Sequence, residues 1–262
     1  MTRIYLSAAL LCALAIPAFA QDEPAKEPRR VRVGLGPQLA PSFPGSRDHK
    51  VRPYWDLAIT RGDKPFEFEA PDENFGFPIL KTGGLEIGPS LSLESARRRK
   101  KVGAPVDEVG TTFEAGGFAQ LWLTPALRVR VEARQGVNGH RSLVGAVGAD
   151  YVMRDGDKWL VSIGPRLSLS DRGYQRAYFG VNPREAAATG LSVYRPKAGA
   201  HAAGVVAGTH YALDERWGVM AFAKYDRLIG DAGRSPMIRA YGKRDQISGG
   251  VGLSYTFGRS TR

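Results

Sequence analysis

The sequence is poor in cysteine, and the one cysteine among its 262 residues is Cys12. Cys12 lies in an apolar run from Ile4 to Ile16, which is followed by the small-x-small sequence Ala18-Phe19-Ala20. This order is typical of a secretory signal peptide. We predict removal of residues 1–20, so that the mature chain begins at Gln21 without cysteine, which excludes a disulfide scaffold and a thiolate metal site. Acylation of Cys12 is the weaker alternative, because bulky leucines precede it.

Long hydrophobic runs are missing after residue 20, where no apolar stretch approaches the roughly 20 residues that a membrane-spanning helix needs. This excludes a helical membrane protein. The mean hydropathy of the whole chain is slightly negative, at −0.26. A β-barrel is compatible with such a value, because only every second strand residue faces lipid.

Histidine is scarce, and the four histidines at positions 49, 140, 201 and 210 lack the spacing of a metal-binding motif. No nucleophile motif is present, so a hydrolase would have to use His140 with Ser142, or His210 with a serine of a neighbouring strand. On one regular strand, His201 and His210 would point to opposite faces. We therefore expect no enzyme activity, no cofactor and no metal site.

The sequence does contain residues that alternate with a period of two, most clearly in the segment 246–257. There Ile247, Val251, Leu253 and Phe257 alternate with small or polar residues. One face of this segment is apolar and the other is small and polar, which is typical of a strand in an outer-membrane barrel. Glycine is also frequent, at 32 residues, and small side chains suit a crowded barrel interior.

Segments of this kind recur along the chain, separated by short turns and longer polar connections that alternate strictly. The pattern predicts an all-β fold, a transmembrane antiparallel up-and-down β-barrel of about 12 strands, with about ten as the alternative. The predicted strands are 31–39, 53–61, 65–69, 76–82, 84–94, 110–123, 126–135, 142–153, 158–170, 200–213, 217–228 and 246–257. The connections predicted to be external are 40–52, 70–75, 95–109, 136–141, 171–199 and 229–245.

This reading divides the mature chain into a flexible periplasmic segment 21–30, a barrel over 31–257 and a short tail over 258–262. A soluble β-sandwich or lipocalin-like barrel is the alternative. Strand lengths near ten residues disfavour it, and so do the aromatic residues near strand ends, where interfacial girdles lie. These aromatic residues are Trp122, Trp159, Trp217, Tyr255 and Phe257.

Charged residues mark the face of the strands that is predicted to line the lumen. On the segment 126–135, four charged residues alternate with apolar ones, and Arg166 lies on a later strand. Because an unpaired charge buried there would be costly, we expect ion pairs to fill the lumen. The candidate lumen residues are Arg128, Arg130, Glu132, Arg134 and Arg166.

Basic residues outnumber acidic ones, with a net charge of +11 that becomes +10 once Arg3 leaves with the signal peptide. In an exported protein, this charge favours contact with outer-membrane lipid and lipopolysaccharide over nucleic acid. A run of five cations in a predicted external loop is the candidate lipopolysaccharide site, with a solvated loop as the equal alternative. The run consists of Arg97, Arg98, Arg99, Lys100 and Lys101.

Two further motifs lie in predicted external loops. The first, Tyr178-Phe179-Gly180-Val181, is either a contact patch or a hydrophobic anchor for its long loop, and the anchor is favoured because such loops need packing of their own. The second, Ser235-Pro236, is typical of a turn and less typical of a ligand site.

Several short motifs in a fixed order give the chain a family resemblance from about Val33 to Phe257. They are Val33-Gly34-Leu35-Gly36, Pro41-Ser42-Phe43-Pro44-Gly45-Ser46, Gly88-Pro89, Tyr178-Phe179-Gly180-Val181, Glu185-Ala186, Gly190-Leu191, Tyr194, Leu228-Ile229-Gly230-Asp231-Ala232, Ser235-Pro236 and Gly252-Leu253-Ser254-Tyr255-Thr256-Phe257. Together they resemble the MltA-interacting protein (MipA/OmpV) family. The chain departs from the family pattern at Arg141-Ser142, and at Gly258-Arg259-Ser260-Thr261-Arg262, which follows the terminal aromatic residue.

The resemblance implies a protein of the cell outer membrane, exported through the periplasm. It also implies a scaffold in peptidoglycan remodelling, with a murein-synthesising enzyme and a lytic transglycosylase as partners. A porin-like channel for small solutes and a surface adhesin are the alternatives that the resemblance leaves open.

Overall fold

The computed structural model describes residues 27–258, so the predicted signal peptide and most of the segment 21–30 and of the tail lie outside the described residues. Twelve strands form one antiparallel sheet: β1 Arg29–Pro41, β2 His49–Arg61, β3 Phe75–Gly76, β4 Leu80–Thr82, β5 Leu85–Glu94, β6 Thr112–Thr124, β7 Leu127–Gly136, β8 Leu143–Asp155, β9 Trp159–Ser170, β10 Gly199–Ala212, β11 Trp217–Leu228 and β12 Asp245–Phe257. Five short helices lie in the connections: α1 Arg99–Val102, α2 Arg172–Phe179, α3 Pro183–Thr189, α4 Gly230–Arg234 and α5 Pro236–Tyr241.

The strands follow an up-and-down order: from β5 to β12 each long strand pairs with the next, β12 pairs with β1, and β1 pairs with β2. In the last pairing Val31 lies opposite Phe257, and Leu35 lies opposite Leu253. The sheet therefore curls into the barrel that the alternating pattern predicts. All five short turns lie at the end that holds Gly258, and the long connections lie at the other end.

The exterior of the barrel is apolar. Outward side chains on every long strand are large and exposed, for example Val51 at 71% and Leu93 at 67%. On β12, Leu253 is 55% exposed whereas the neighbouring inward Ser254 is 2% exposed. A soluble sheet would bury such a face, so this surface is suited to contact with hydrocarbon. Within residues 27–258, no helix is long and apolar enough to cross a membrane.

The segment 65–69 is not a wall strand, contrary to the alternating pattern. The chain passes into the barrel after β2, and Phe66, Phe68 and Ala70 are buried in the interior. A wall strand would have turned these side chains outward to lipid. Residues 70–74 of the predicted external loop also lie inside, and the predicted strand 76–82 is divided into β3 and β4 around Pro78. Proline has no N–H to donate to the ladder, which explains the break.

The interior segment leaves a seam in the wall. Among the described residues, no backbone ladder joins β2 to β3, β4 or β5. Side chains cover the seam instead: the rings of Trp55 and Phe75 lie 6.2 Å apart, centroid to centroid. Near the long-loop end, Lys50 Nζ and Arg52 Nη2 donate to Ser95 Oγ at 2.8 Å and 2.6 Å.

Most of the predicted aromatic girdle lies at the short-turn end of the strands. Trp217 packs against Tyr255 with ring centroids 4.9 Å apart, and Tyr255 packs against Phe257 at 4.8 Å. Trp122 also lies near this end but is not part of the girdle. Its ring points into the barrel, with its centroid 6.1 Å from that of Phe68. Its neighbours Leu121 and Leu123 take the outward positions, so the period of two excludes Trp122 from the girdle.

Candidate functional site

The lumen of the barrel is filled by residues 65–74, which we call the plug. Its acidic residues reach basic side chains on strands from different sides of the wall. Asp72 lies 3.1 Å from Arg166 Nη2 on β9 and 3.0 Å from Lys224 Nζ on β11. Glu73 pairs with Arg128 and lies 3.5 Å from Arg130 Nη1, both on β7. The plug is therefore held between the walls by charge.

Arg128 is the centre of this network and is fully buried. Besides Glu73, it lies 2.6 Å from Asp150 Oδ2 and donates to Gln120 Oε1 at 3.2 Å. Its guanidinium also lies 4.5 Å from the ring centroid of Phe68. Paired carboxylates and an aromatic face offset the cost of burying a guanidinium.

The other predicted lumen residues belong to the same network. Glu132 accepts from Asn74 Nδ2 of the plug at 2.9 Å and from Ser90 Oγ at 2.7 Å. Arg130 lies 3.1 Å from Glu132, and Arg134 pairs with Glu132 and donates to Glu114 at 2.9 Å. The structure thus brings Arg128, Arg130, Glu132, Arg134 and Arg166 together inside the barrel, with charges paired.

Aromatic residues fix the plug near the short-turn end. The Arg30 and Arg32 guanidinium groups lie 5.0 Å and 4.9 Å from the ring centroid of Phe66. Arg154 Nη1 donates to the carbonyl of Phe66 at 2.8 Å, and the N–H of Phe66 donates to Asp157 at 2.8 Å. Arg30 belongs to β1, so regular structure begins within the segment 21–30.

The long connections fold into a compact unit at the opposite end, which we call the lid: residues 42–48, 95–111, 171–198 and 229–244. Its core contains Phe43, Val106, Tyr174, Tyr178, Phe179, Val181, Met237 and Ile238, and it continues into inward residues of three strands, Val144, Ala202 and Leu228. The lid therefore covers this end of the barrel.

The lid helices have clear local signals. Asp171 caps α2 by accepting from the N–H of Tyr174 at 2.8 Å. Asn182 and Glu185 form a capping box on α3, with Pro183 at the first turn. Ser235 caps α5 ahead of Pro236. Each cap satisfies backbone groups that a buried helix end would otherwise leave unpaired.

The two loop motifs meet inside the lid. Ser235 Oγ donates to the carbonyl of Phe179 at 2.7 Å, and Val181 and Tyr194 exchange backbone hydrogen bonds at 2.9 Å. Tyr178, Phe179, Gly180, Val181, Ser235 and Pro236 are all buried. Burial raises the pKa of the Tyr174 phenol and of the Tyr178 phenol, so both remain neutral hydroxyls.

The basic run at 97–101 is divided between the lid interior and its surface. Arg97 is buried, donates to the carbonyls of Tyr178 at 3.1 Å and Asp107 at 2.7 Å, and lies 3.8 Å from Glu185. Burial lowers its pKa, an effect that Glu185 opposes. Arg98, Arg99, Lys100 and Lys101 are exposed. Four cations of the predicted lipopolysaccharide site are therefore on the surface, and Arg97 is not.

Comparison with known families decides the assignment. The family model described as "MltA-interacting protein MipA" matches residues 33–257. The chain belongs to the MltA-interacting protein MipA family. With its apolar exterior and its curled antiparallel sheet of twelve described strands, this family member is an outer-membrane β-barrel protein.

Solved structures with a similar backbone fold are also outer-membrane proteins. A KdgM porin is 11% identical, with a TM-score of 0.38 over 88% of this chain and 99% of that chain. The translocator domain of autotransporter NalP from Neisseria meningitidis is 13% identical, with a TM-score of 0.35 over 90% of each chain. At such scores, the fold assignment depends on the strand pairing and the family, and not on these likenesses. A comparison with curated proteins found no match.

The histidines lie in separate places. His140 Nε2 contacts Glu114 Oε1 at 2.9 Å, and its Nδ1 accepts from the backbone N–H of Ser142, whose hydroxyl donates to the His140 carbonyl. His210 Nε2 lies 2.9 Å from Ser254 Oγ. A β-bulge at Ala200/Ala202 turns His201 inward like His210, contrary to the opposite faces of a regular strand.

The plug is the functional element that the sequence pattern failed to reveal. Phe66, Phe68 and Ala70 alternate with Glu67 and Glu69, as in a wall strand. The available signal was the shortness of the segment, since five residues are too few for a tilted strand that crosses the bilayer.

Proposed function

We propose that this protein is an outer-membrane scaffold that holds a lytic transglycosylase beside a murein-synthesising enzyme in peptidoglycan remodelling. The family is described by its interaction with MltA, a lytic transglycosylase, which supports this class of partner. The observation that carries the proposal is the occupied lumen, in which Asp72 and Glu73 of the plug pair with cations on three strands. A barrel filled in this way is suited to act through its surfaces rather than by conduction.

The short-turn end is the surface that fits a wall enzyme. The turn at 213–216 exposes Asp214, Glu215 and Arg216 beyond the ends of β10 and β11. In an outer-membrane barrel, short turns face the periplasm, where peptidoglycan lies. We propose this end as the docking surface, with the lid facing the medium.

Crosslinking and co-purification from detergent-solubilised envelopes test the proposal. We expect a lytic transglycosylase and a murein-synthesising enzyme among the captured proteins. An epitope inserted after Glu215 should lower their recovery several-fold, whereas the same epitope inserted after Lys100 in the lid should not. Equal recovery from both insertion variants, or capture of neither enzyme by the native chain, would contradict the scaffold and leave a channel or an adhesin as the alternative.

A further inference from the structure

A cavity of about 210 Å³ lies between the plug and the seam in the wall. It is bordered by the outward residues Trp55 and Phe75 as well as by the inward residues Tyr54 and Met220. Since no backbone ladder closes the wall between β2 and β3, this cavity adjoins both the lumen and the surface that meets hydrocarbon. An apolar group in the bilayer could reach it sideways, without passing the lid.

The apolar part of the cavity is aromatic. Tyr54 packs against Phe222 with ring centroids 4.8 Å apart, which fixes one wall. Phe66 and Phe68 of the plug also border the cavity, and so does Met220, which belongs to the same buried cluster as Tyr54. Rigid aromatic faces and a methionine suit a flat apolar or aromatic group.

Glu69 is the acid at the cavity that has no close ion pair. It borders this cavity and a second one of about 300 Å³. Within the described part of the chain its side chain makes no hydrogen bond or ion pair, and Arg130 and Arg128 attract it only over a longer distance. The other acids that border the cavity are paired: Asp56 with Arg32, Glu67 with Lys81, Glu73 with Arg128 and Arg130, and Asp157 with Arg30 and Arg154.

We propose that this cavity binds a small amphipathic cation, such as an aromatic amine, which enters from the bilayer through the seam. The ammonium group would pair with Glu69, and the aromatic group would lie against Phe66, Phe68 and Tyr54. A carboxylate without a close ion pair, beside aromatic faces, favours a cation over a neutral or anionic ligand of the same shape. This site is independent of the scaffold, because it lies inside the wall and not on the short-turn surface.

Three ligands of one shape test the charge preference on the full chain in lipid nanodiscs. The pH is mildly alkaline, so that Glu69 is ionised, because burial raises the pKa of its carboxyl to about 7. Benzylammonium should bind roughly tenfold or more tightly than benzyl alcohol, and benzoate should bind most weakly, because only the cation gains a charge-assisted hydrogen bond. Titration calorimetry gives the three affinities. Equal affinity for benzylammonium and benzyl alcohol in the unmodified protein would overturn the site.

Substitutions locate the site and its entrance. Glu69→Gln should abolish the preference for benzylammonium, whereas Glu215→Gln, which removes the same charge from an exposed turn, should leave it unchanged. A chemical bridge between cysteines introduced at Trp55 and Phe75 should slow binding from the bilayer several-fold. A Glu69→Gln protein that keeps the preference contradicts the site, and an unchanged rate after bridging contradicts the seam as the entrance. Recovery of the transglycosylase by Glu69→Gln should equal that of the unmodified protein, which separates failure of this site from failure of the scaffold.

Discussion

At the residue scale, the pattern of the sequence predicts the direction of a side chain but not its partner. The alternation on β7 places Arg128 and Arg130 inside, as the structure shows. It does not predict Glu73, which lies 55 residues before Arg128 in an irregular segment. Pairing between residues so far apart in sequence depends on where the plug enters the barrel, which a local periodicity does not predict.

Arg128→Met tests the central ion-pair network. The substitution leaves Asp150 and Glu73 buried without their guanidinium, so we expect a loss of about 3 kcal/mol or more in the free energy of unfolding. Urea unfolding in detergent micelles measures this loss. The control is Arg98→Met, which removes an exposed cation that lies 3.1 Å from Glu108 and should cost less than about 1 kcal/mol. Equal losses for the two variants would show that the network does not stabilise the barrel.

Ser235→Ala tests the joint between the two loop motifs. Its hydroxyl donates to the Phe179 carbonyl and accepts from the N–H of Ile238 at 3.3 Å, so we expect local destabilisation of about 1–2 kcal/mol. Hydrogen exchange of α2 and α5 should become roughly 5- to 30-fold faster, with the strands unaffected. Ser192→Ala, at an exposed loop position, is the matched control. Unchanged exchange in the Ser235 variant would contradict this role.

At the element scale, long strands are predictable because each repeats the same alternation over ten or more residues. The segments 110–123 and 246–257 agree with β6 and β12 to within two residues at each end. The plug was not predicted because its apolar and charged residues alternate as in a wall strand, but its phenylalanines are buried inside the lumen and do not face lipid. The bulge at His201 was missed for a related reason, since one extra residue changes side-chain direction without changing composition.

Adjacent positions on β12 test which face of the strand meets lipid. Spin labels attached to cysteines introduced one at a time at Leu253 and Ser254 should differ sharply, because Leu253 is 55% exposed outward and Ser254 points inward. We expect collisions with oxygen dissolved in the bilayer to be several-fold more frequent at position 253. Equal collision frequencies would contradict an outward face in hydrocarbon and favour a face buried between two sheets.

At the scale of the whole molecule, the barrel combines three features. The exterior is apolar, the lumen is filled by the plug, and the lid covers the long-loop end. The period of two within the strands, and the strict alternation of short turns with long connections, were sufficient to predict the apolar exterior. The plug and the lid depend on how segments distant in sequence pack against one another. The sequence motifs therefore identify some of the lid residues but do not predict how they are arranged.

Conductance across a planar lipid bilayer is the most direct test of the filled barrel. We expect the unmodified protein to insert without steady conductance steps. Replacing Asp72 and Glu73 by Asn and Gln should release the plug from Arg166, Lys224 and Arg128 and produce anion-favouring steps. The same pair of changes at Asp214 and Glu215 should leave the bilayer silent. Steady conductance through the unmodified protein, equal to that of the plug variant, would contradict an occupied lumen.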